Sequence, residues 1–371
     1  MAHYIPRRWP WLGRGDRGTQ RTGGAITASL LLSSSLLLGC GSDGDLAPIK
    51  RRSGAVVIEG CALDAGQQQT LQSDALRAVV STAILLCPAI HEGGAFPKEA
   101  EGLQTLGTTV SALRTTGLRV ELGITARDDA GQPLSPTRLA ALLHDPLQRD
   151  LTATAVAQFD ARADGLVIAL PTLPETATAD VTAWVQALAA WTPGRKPSIF
   201  APPSSTEPSD LPQGSAVNLK ALAGSVRTVY AMTVDYSCCD ETPGPTTEAD
   251  WTAQVVSLAG RQAGQIPLFM TQPLYGYRFV DGSALPVSYL AAAGLASAQH
   301  IQVLRKEDGS LQYSFVDASS RRNEVWFDDA SSLARRLAYL DSRVAGNVGV
   351  LYYSVGGEDP ALWSTLQGLM R

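Results

Sequence analysis

The sequence predicts an α/β fold: a (β/α)8 TIM barrel with a small α+β insertion between strands seven and eight. Three observations predict it. Eight apolar, β-rich runs alternate with helical patterns over about 300 residues. Several of these runs are almost continuously apolar, as parallel strands buried on both faces must be. No glycine-rich phosphate loop follows the first run, which weakens the alternative, an open doubly wound nucleotide-binding sheet.

In chain order, the strand candidates are 55–60, 83–87, 119–124, 165–170, 197–201, 228–235, 266–275 and 348–354. Helical periodicity fills the intervals, at 103–115, 136–158, 178–192, 248–262 and 329–343. The alternation breaks once, at 286–328. There a helix-like stretch (287–299) is followed by strand-like runs (300–306, 311–316, 324–327), with turns at Asp308-Gly309 and 319–323. The expected barrel therefore occupies 55–371, with 286–328 as its insertion.

The chain has 371 residues, 45% hydrophobic and 18% charged, enough for a large core. Its formal net charge is −5. The first 39 residues carry five Arg and one Asp, which leaves −9 for the rest. So acidic a body argues against nucleic acid and anionic membrane surfaces as partners. The four His are scattered, and no Cys-x-x-Cys or His–Cys spacing suggests a metal. No cofactor is expected.

The N-terminus reads as a targeting segment. Arg7, Arg8, Arg14, Arg17 and Arg21 precede an apolar run at 25–38 that is short for a membrane span. It ends in Leu37-Leu38-Gly39-Cys40, followed by Gly41-Ser42-Asp43-Gly44-Asp45. This resembles the bacterial lipoprotein signal. The resemblance implies a signal peptide over 1–39, acylation of Cys40, a lipid anchor in the envelope and, with Gly41 after the Cys, the outer membrane. Residues 40–54 are expected to be a flexible tether. Export permits disulfides among Cys61, Cys87, Cys238 and Cys239. Cys61 and Cys87 end successive strand candidates and could bridge. The vicinal Cys238-Cys239 could form a local bond or stay reduced.

Several segments share a further likeness. They are ALLHDPLQRDLTATAVAQF followed by ADGLVIAL, AMTVDYS at 231–237, PLYGY at 273–277, SFVDASSRRNEVWFDD at 314–329, and VLYYSVGGEDP at 350–360. In this order the chain, from about 55 to 371, resembles glycoside hydrolase family 18: the chitinases and, more closely, the bacterial peptidoglycan-hydrolase and spore-cortex branch. That family works by substrate assistance, in which the 2-acetamido group of the sugar attacks its own anomeric carbon. A fourth-strand Glu protonates the leaving oxygen. An Asp two residues earlier and a sixth-strand Tyr hold the acetamide.

The fourth-strand motif is Asp-x-x-Asp-x-Asp-x-Glu. Here Asp164 fits its first position, but the other three become Val167, Ala169 and Pro171. Side chains alternate along a strand, so these three share one face, the inward one in a barrel. None of them can transfer a proton. On the sixth strand Met232 and Asp235 match, but the Tyr becomes Val234. The eighth-strand Trp becomes Tyr353. Tyr275 and Tyr277 are placed on the seventh strand, with Gln272 nearby. No catalytic residue is assigned. The ligand-binding candidates are Met232, Asp235, Gln272, Tyr275 and Tyr353. The resemblance implies an N-acetylated polysaccharide, peptidoglycan or chitin-like, as partner. Two other readings stay open: an active glycosidase with a relocated acid, Glu175 or Asp235, and an envelope scaffold that binds proteins.

Overall fold

Eight apolar runs become eight parallel strands that close on themselves. They are β1 (Gly54–Glu59), β2 (Thr82–Leu86), β3 (Arg119–Ala126), β4 (Gly165–Ile168), β5 (Ser198–Ala201), β6 (Val229–Ala231), β7 (Leu268–Pro273) and β8 (Gly349–Tyr353). Each pairs with the next, and β8 returns to β1, so the sheet has no free edge in the barrel. This is the expected (β/α)8 barrel. The computed structural model describes residues 46–91, 94–96, 100–128, 131–160, 163–192, 194–204, 216–238 and 242–371. The expected signal peptide, the lipidation site Cys40 and Cys239 lie outside these residues.

Alternation sorts the core into two layers. Val56, Ile58, Leu85, Leu122, Ile168, Met270 and Tyr352 face the surrounding helices. Ala55, Val57, Ile84, Leu86, Val167, Ala169, Phe200, Tyr230, Met232, Val234, Leu351 and Tyr353 fill the barrel interior. The interior is packed tightly enough to dictate glycine at two positions. A Cβ on Gly123 would sit 2.1 Å from Leu86 Cδ2, and one on Gly349 would sit 2.4 Å from the Phe269 ring.

The N-terminal end of the barrel is closed by ions. Glu121, 1% exposed, accepts from Arg119 Nε at 3.0 Å and from Arg227 Nη2. Arg227 also donates to Ser198 Oγ at 3.0 Å. Asp164 lies at this same end. It accepts from Arg114 Nη2 at 2.7 Å and from the Val120 amide at 2.9 Å. Burial works against it, yet the Arg114 and Val120 hydrogen bonds hold its carboxyl below the usual range. Asp164, read as the first position of the fourth-strand motif, is therefore a structural staple.

Four expectations about extent are corrected. The insertion begins at Tyr275, ahead of the expected 286. Strands Tyr275–Val280, Ser283–Ser288, Leu304–Arg305, Leu311–Val316 and Arg322–Phe327 form one antiparallel sheet beside helix Tyr289–Ala298. Tyr275 and Tyr277 thus stand on the insertion's first strand and not on β7. One β-prone run serves both sheets, and it leaves the barrel at Leu274, whose amide still donates to the Tyr353 carbonyl. The sixth strand stops at Ala231, short of the expected 235. The 136–158 helix is two helices, Pro136–His144 and Pro146–Asp160, because Pro146 forces Asp145 into extended backbone. Finally, the expected tether ends early. Ile49 is buried and bridges Met370, while Arg52 pairs with Asp341 at 2.5 Å and donates to the Val348 carbonyl.

Candidate functional site

TIM-barrel sites lie at the C-terminal ends of the strands, and the remaining polar chemistry of this barrel gathers there. Along β1 the inward positions are Ala55, Val57 and then Glu59, where the strand opens into the mouth. Glu59 accepts hydrogen bonds from the hydroxyls of Tyr353 and Ser354, at the end of neighbouring β8. Burial pushes its carboxyl up to about 7. The two hydroxyls and the nearby Arg127 guanidinium offset this only in part. Burial likewise pulls Arg127 down, against the opposing pull of Glu59.

Asp235 forms the second half of the mouth. It follows β6 with φ of 64°, in the left-handed region that Asp tolerates better than most residues. Threonines fix this loop: Thr233 Oγ1 donates to the Thr271 carbonyl at 2.6 Å, and Thr247 Oγ1 to the Thr233 carbonyl at 2.7 Å. Asp235 Oδ1 accepts from the phenols of Tyr275 and Tyr277, the latter at 2.7 Å. The two rings meet edge to face, 5.6 Å apart. Burial, then the Asp235 charge, raises the Tyr275 phenol well above its ordinary value. Burial also raises Tyr353, followed by Glu59 and then Asp235. Tyr353 therefore lies in the field of both carboxyl groups.

The inward side of β4 carries none of this chemistry. Val167 is fully buried and Ala169 is 8% exposed, both in the apolar interior cluster. Pro171 lies just past the strand. Burying carboxylates there would cost several kcal/mol for each uncompensated ion, a cost that Val and Ala avoid. Val234 packs in the same cluster.

The structure brings Asp235, Tyr275 and Tyr353 together and treats the other candidates differently. Met232 is buried interior packing, with its sulfur against Thr271 Oγ1. Gln272 pairs in register with Tyr352, on the helix-facing side of the wall, so it does not reach the mouth. Its Nε2 donates to the Thr271 carbonyl, while its Oε1 is buried without a partner among the described residues. Glu175 is exposed on the 3-10 turn Glu175–Ala177. Tyr353 is 3% exposed. It offers the mouth its hydroxyl, not a face on which a sugar could stack. Tyr236, 43% exposed and tilted at 49° against Trp251 with centroids 5.2 Å apart, is the accessible ring next in sequence to Asp235. Glu59 and Arg127 were not read as site residues from sequence, although the alternation Ala55, Val57, Glu59 was the signal for the first.

Cys61 and Cys87, just beyond β1 and β2, are bonded, with Cα atoms 4.7 Å apart. Cys238 is also disulfide-bonded. Among the described residues, no three His, Cys, Asp or Glu side chains gather as a metal ion would require.

No family model and no curated protein matches the sequence. Solved structures do. The spore cortex-lytic enzyme SleL of Bacillus cereus superposes with a TM-score of 0.73 at 16% identity, over 87% of this chain and 75% of that one. A chitinase from Chromobacterium violaceum gives 0.71 at 20% identity, over 85% and 99%. The fold is that of the chitinase barrels. Human YKL-39, described as a pseudo-chitinase with retained chitooligosaccharide binding properties, shares the barrel with a TM-score of 0.63 at 12% identity, over 87% and 99%. In this chitinase-like barrel, then, the mouth holds carboxyl groups from β1 and from the loop after β6, while the inward face of β4 is apolar.

Proposed function

We propose that this protein binds an N-acetylated glycan, peptidoglycan or chitin-like, at the barrel mouth and does not hydrolyse it by the chitinase route. One observation carries the reading. Asp235 and its tyrosines remain at the mouth, while the inward face of β4 has become apolar core. An enzyme using the acetamido group as nucleophile needs an acid beside the glycosidic oxygen, and Val167, Ala169 and Pro171 supply none. Recognition requires less: hydrogen-bonding groups that complement the acetamide, and an aromatic face for the sugar. Asp235, Tyr275 and Tyr353 provide the first, and Tyr236 on Trp251 provides the second. The pseudo-chitinase described for the YKL-39 structure is a precedent for binding without cleavage on such a barrel.

On the same proposal, Cys40 carries a lipid that holds the barrel in the bacterial envelope, at the outer membrane. Fractionation of cells expressing wild type and Cys40→Ala tests it: the wild type enters the detergent phase and the variant does not.

Binding is tested by pull-down of the full chain on chitin and on purified sacculi. Wild type is retained and Asp235→Ala is not. Equal retention of both proteins excludes the mouth as the binding site. Soluble sugar released by wild type but not by Glu175→Gln or Asp235→Asn would instead establish an active glycosidase with a relocated acid.

A further inference from the structure

Glu59 is a carboxyl group of the mouth that the reading above leaves without a role. It ends the inward row of β1, with Tyr353 and Ser354 donating to it from β8. From the segment after β3, Arg127 faces it. The strand Ala89–His91 continues β2. Its last residue, His91, is buried. Beyond Tyr353 stands Asp235 with Tyr275 and Tyr277. The first carboxylate after β8, Glu358, is engaged elsewhere: it accepts from the Gly356 amide at 2.7 Å and from Trp363 Nε1 at 3.0 Å.

An acetamido group presents one acceptor, its carbonyl oxygen, and one donor, its N–H. The mouth has the two complements. A carboxylate such as Asp235 is an acceptor suited to the N–H. A protonated carboxyl group has one O–H to give, while a carboxylate has none. Burial raises the Glu59 carboxyl to about 7, so the acid form predominates below that pH.

We propose that Glu59 reads the carbonyl oxygen of a bound acetamido group, donating to it as a carboxylic acid, so that glycan binding is switched off by deprotonation of this residue. The inference rests on the glycan-binding reading of the mouth. As an acid, Glu59 adds a hydrogen bond. As an anion, it sets a negative charge against the carbonyl oxygen and leaves the ligand's acceptor unmatched in a desolvated site.

The test is calorimetric titration of the full chain with N-acetylchitohexaose from pH 5.5 to 8.5. Affinity should be level below pH 6 and fall about tenfold per pH unit above 7, as single-proton linkage requires, for a loss of about 30-fold by pH 8.5. Glu59→Gln, whose amide donates at every pH, should keep the low-pH affinity across the whole range. Tyr353→Phe removes a donor to the carboxylate and should move the wild-type midpoint upward. A flat wild-type profile, an unchanged slope in Glu59→Gln, or an unmoved midpoint in Tyr353→Phe overturns the inference and leaves glycan binding standing. No binding at any pH removes both.

Discussion

The two ends of this barrel handle buried carboxyl groups in opposite ways. At the N-terminal end Glu121 is met by Arg119, Arg227 and Ser198, and Asp164 by Arg114 and the Val120 amide. Charge is matched there, and Asp164 is held below its ordinary range. At the C-terminal end Asp235 is met by two neutral phenols, and Glu59 by two hydroxyls with one guanidinium nearby. Desolvation is only partly offset there, and Glu59 rises to about 7. Full pairing suits a group that stabilises the fold. A carboxyl group whose desolvation is only partly offset, as at Glu59, suits a ligand site at some cost to stability.

The comparison can be broken most directly at Glu121. Glu121→Ala should destabilise the protein by about 3–4 kcal/mol in urea unfolding, at the low end for breaking a buried ion pair because both guanidiniums can reach water. Glu59→Ala should cost far less below pH 7, since it removes a mostly protonated carboxyl group and not one member of a buried ion pair. A loss at Glu59 as large as that at Glu121 would erase the distinction.

The mouth itself is stapled by the Cys61–Cys87 bond, which closes a loop of sequence separation 26. Cys61→Ala with Cys87→Ala should lower stability by about 3 kcal/mol through loop entropy. In the same titration that double variant should weaken glycan binding, because the bond fixes the ends of β1 and β2 beside Glu59.

A pH scan sharpens the contrast further. The folded-state value of Glu59 lies above its unfolded value of 4.5. The folded protein therefore binds the proton more tightly. The stability this contributes is fully present below pH 4.5 and is lost as pH rises through about 7. The loss amounts to about 3 kcal/mol. Asp328, raised by burial to about 6 despite Arg336, adds a loss of the same sign. The Glu59 share is therefore the difference between wild type and Glu59→Gln, read by thermal or urea unfolding from pH 4 to 8. The smallest effect expected is at the rim, where Tyr236→Ala should weaken glycan binding about tenfold, or about 1.4 kcal/mol, with no change in stability.

The barrel was legible because strands buried on both faces read as apolar runs, and all eight runs form strands. Extents were less legible where the deciding contact is distant. Arg52 is fixed by Asp341, 289 residues away, so nothing local marks the tether's end. The run through Leu274 supplies two different sheets with no break in β-propensity. Asp235 came from the resemblance, and Tyr277 joined it only when the insertion sheet folded back over β6. Glu59 is readable from alternation on β1, but the family motif lies on β4 and does not include it. Gln272 was misplaced because residue type suggested a ligand group while strand register turned it outward.

The central claim is binding at the mouth without cleavage. It is tested most directly by incubating the full chain with N-acetylchitohexaose at pH 6, following binding by intrinsic tryptophan fluorescence and the sugar by mass spectrometry. The account predicts saturable binding that Asp235→Ala abolishes, with the hexaose intact. Shorter oligosaccharides formed by wild type, or no binding at all, would contradict it.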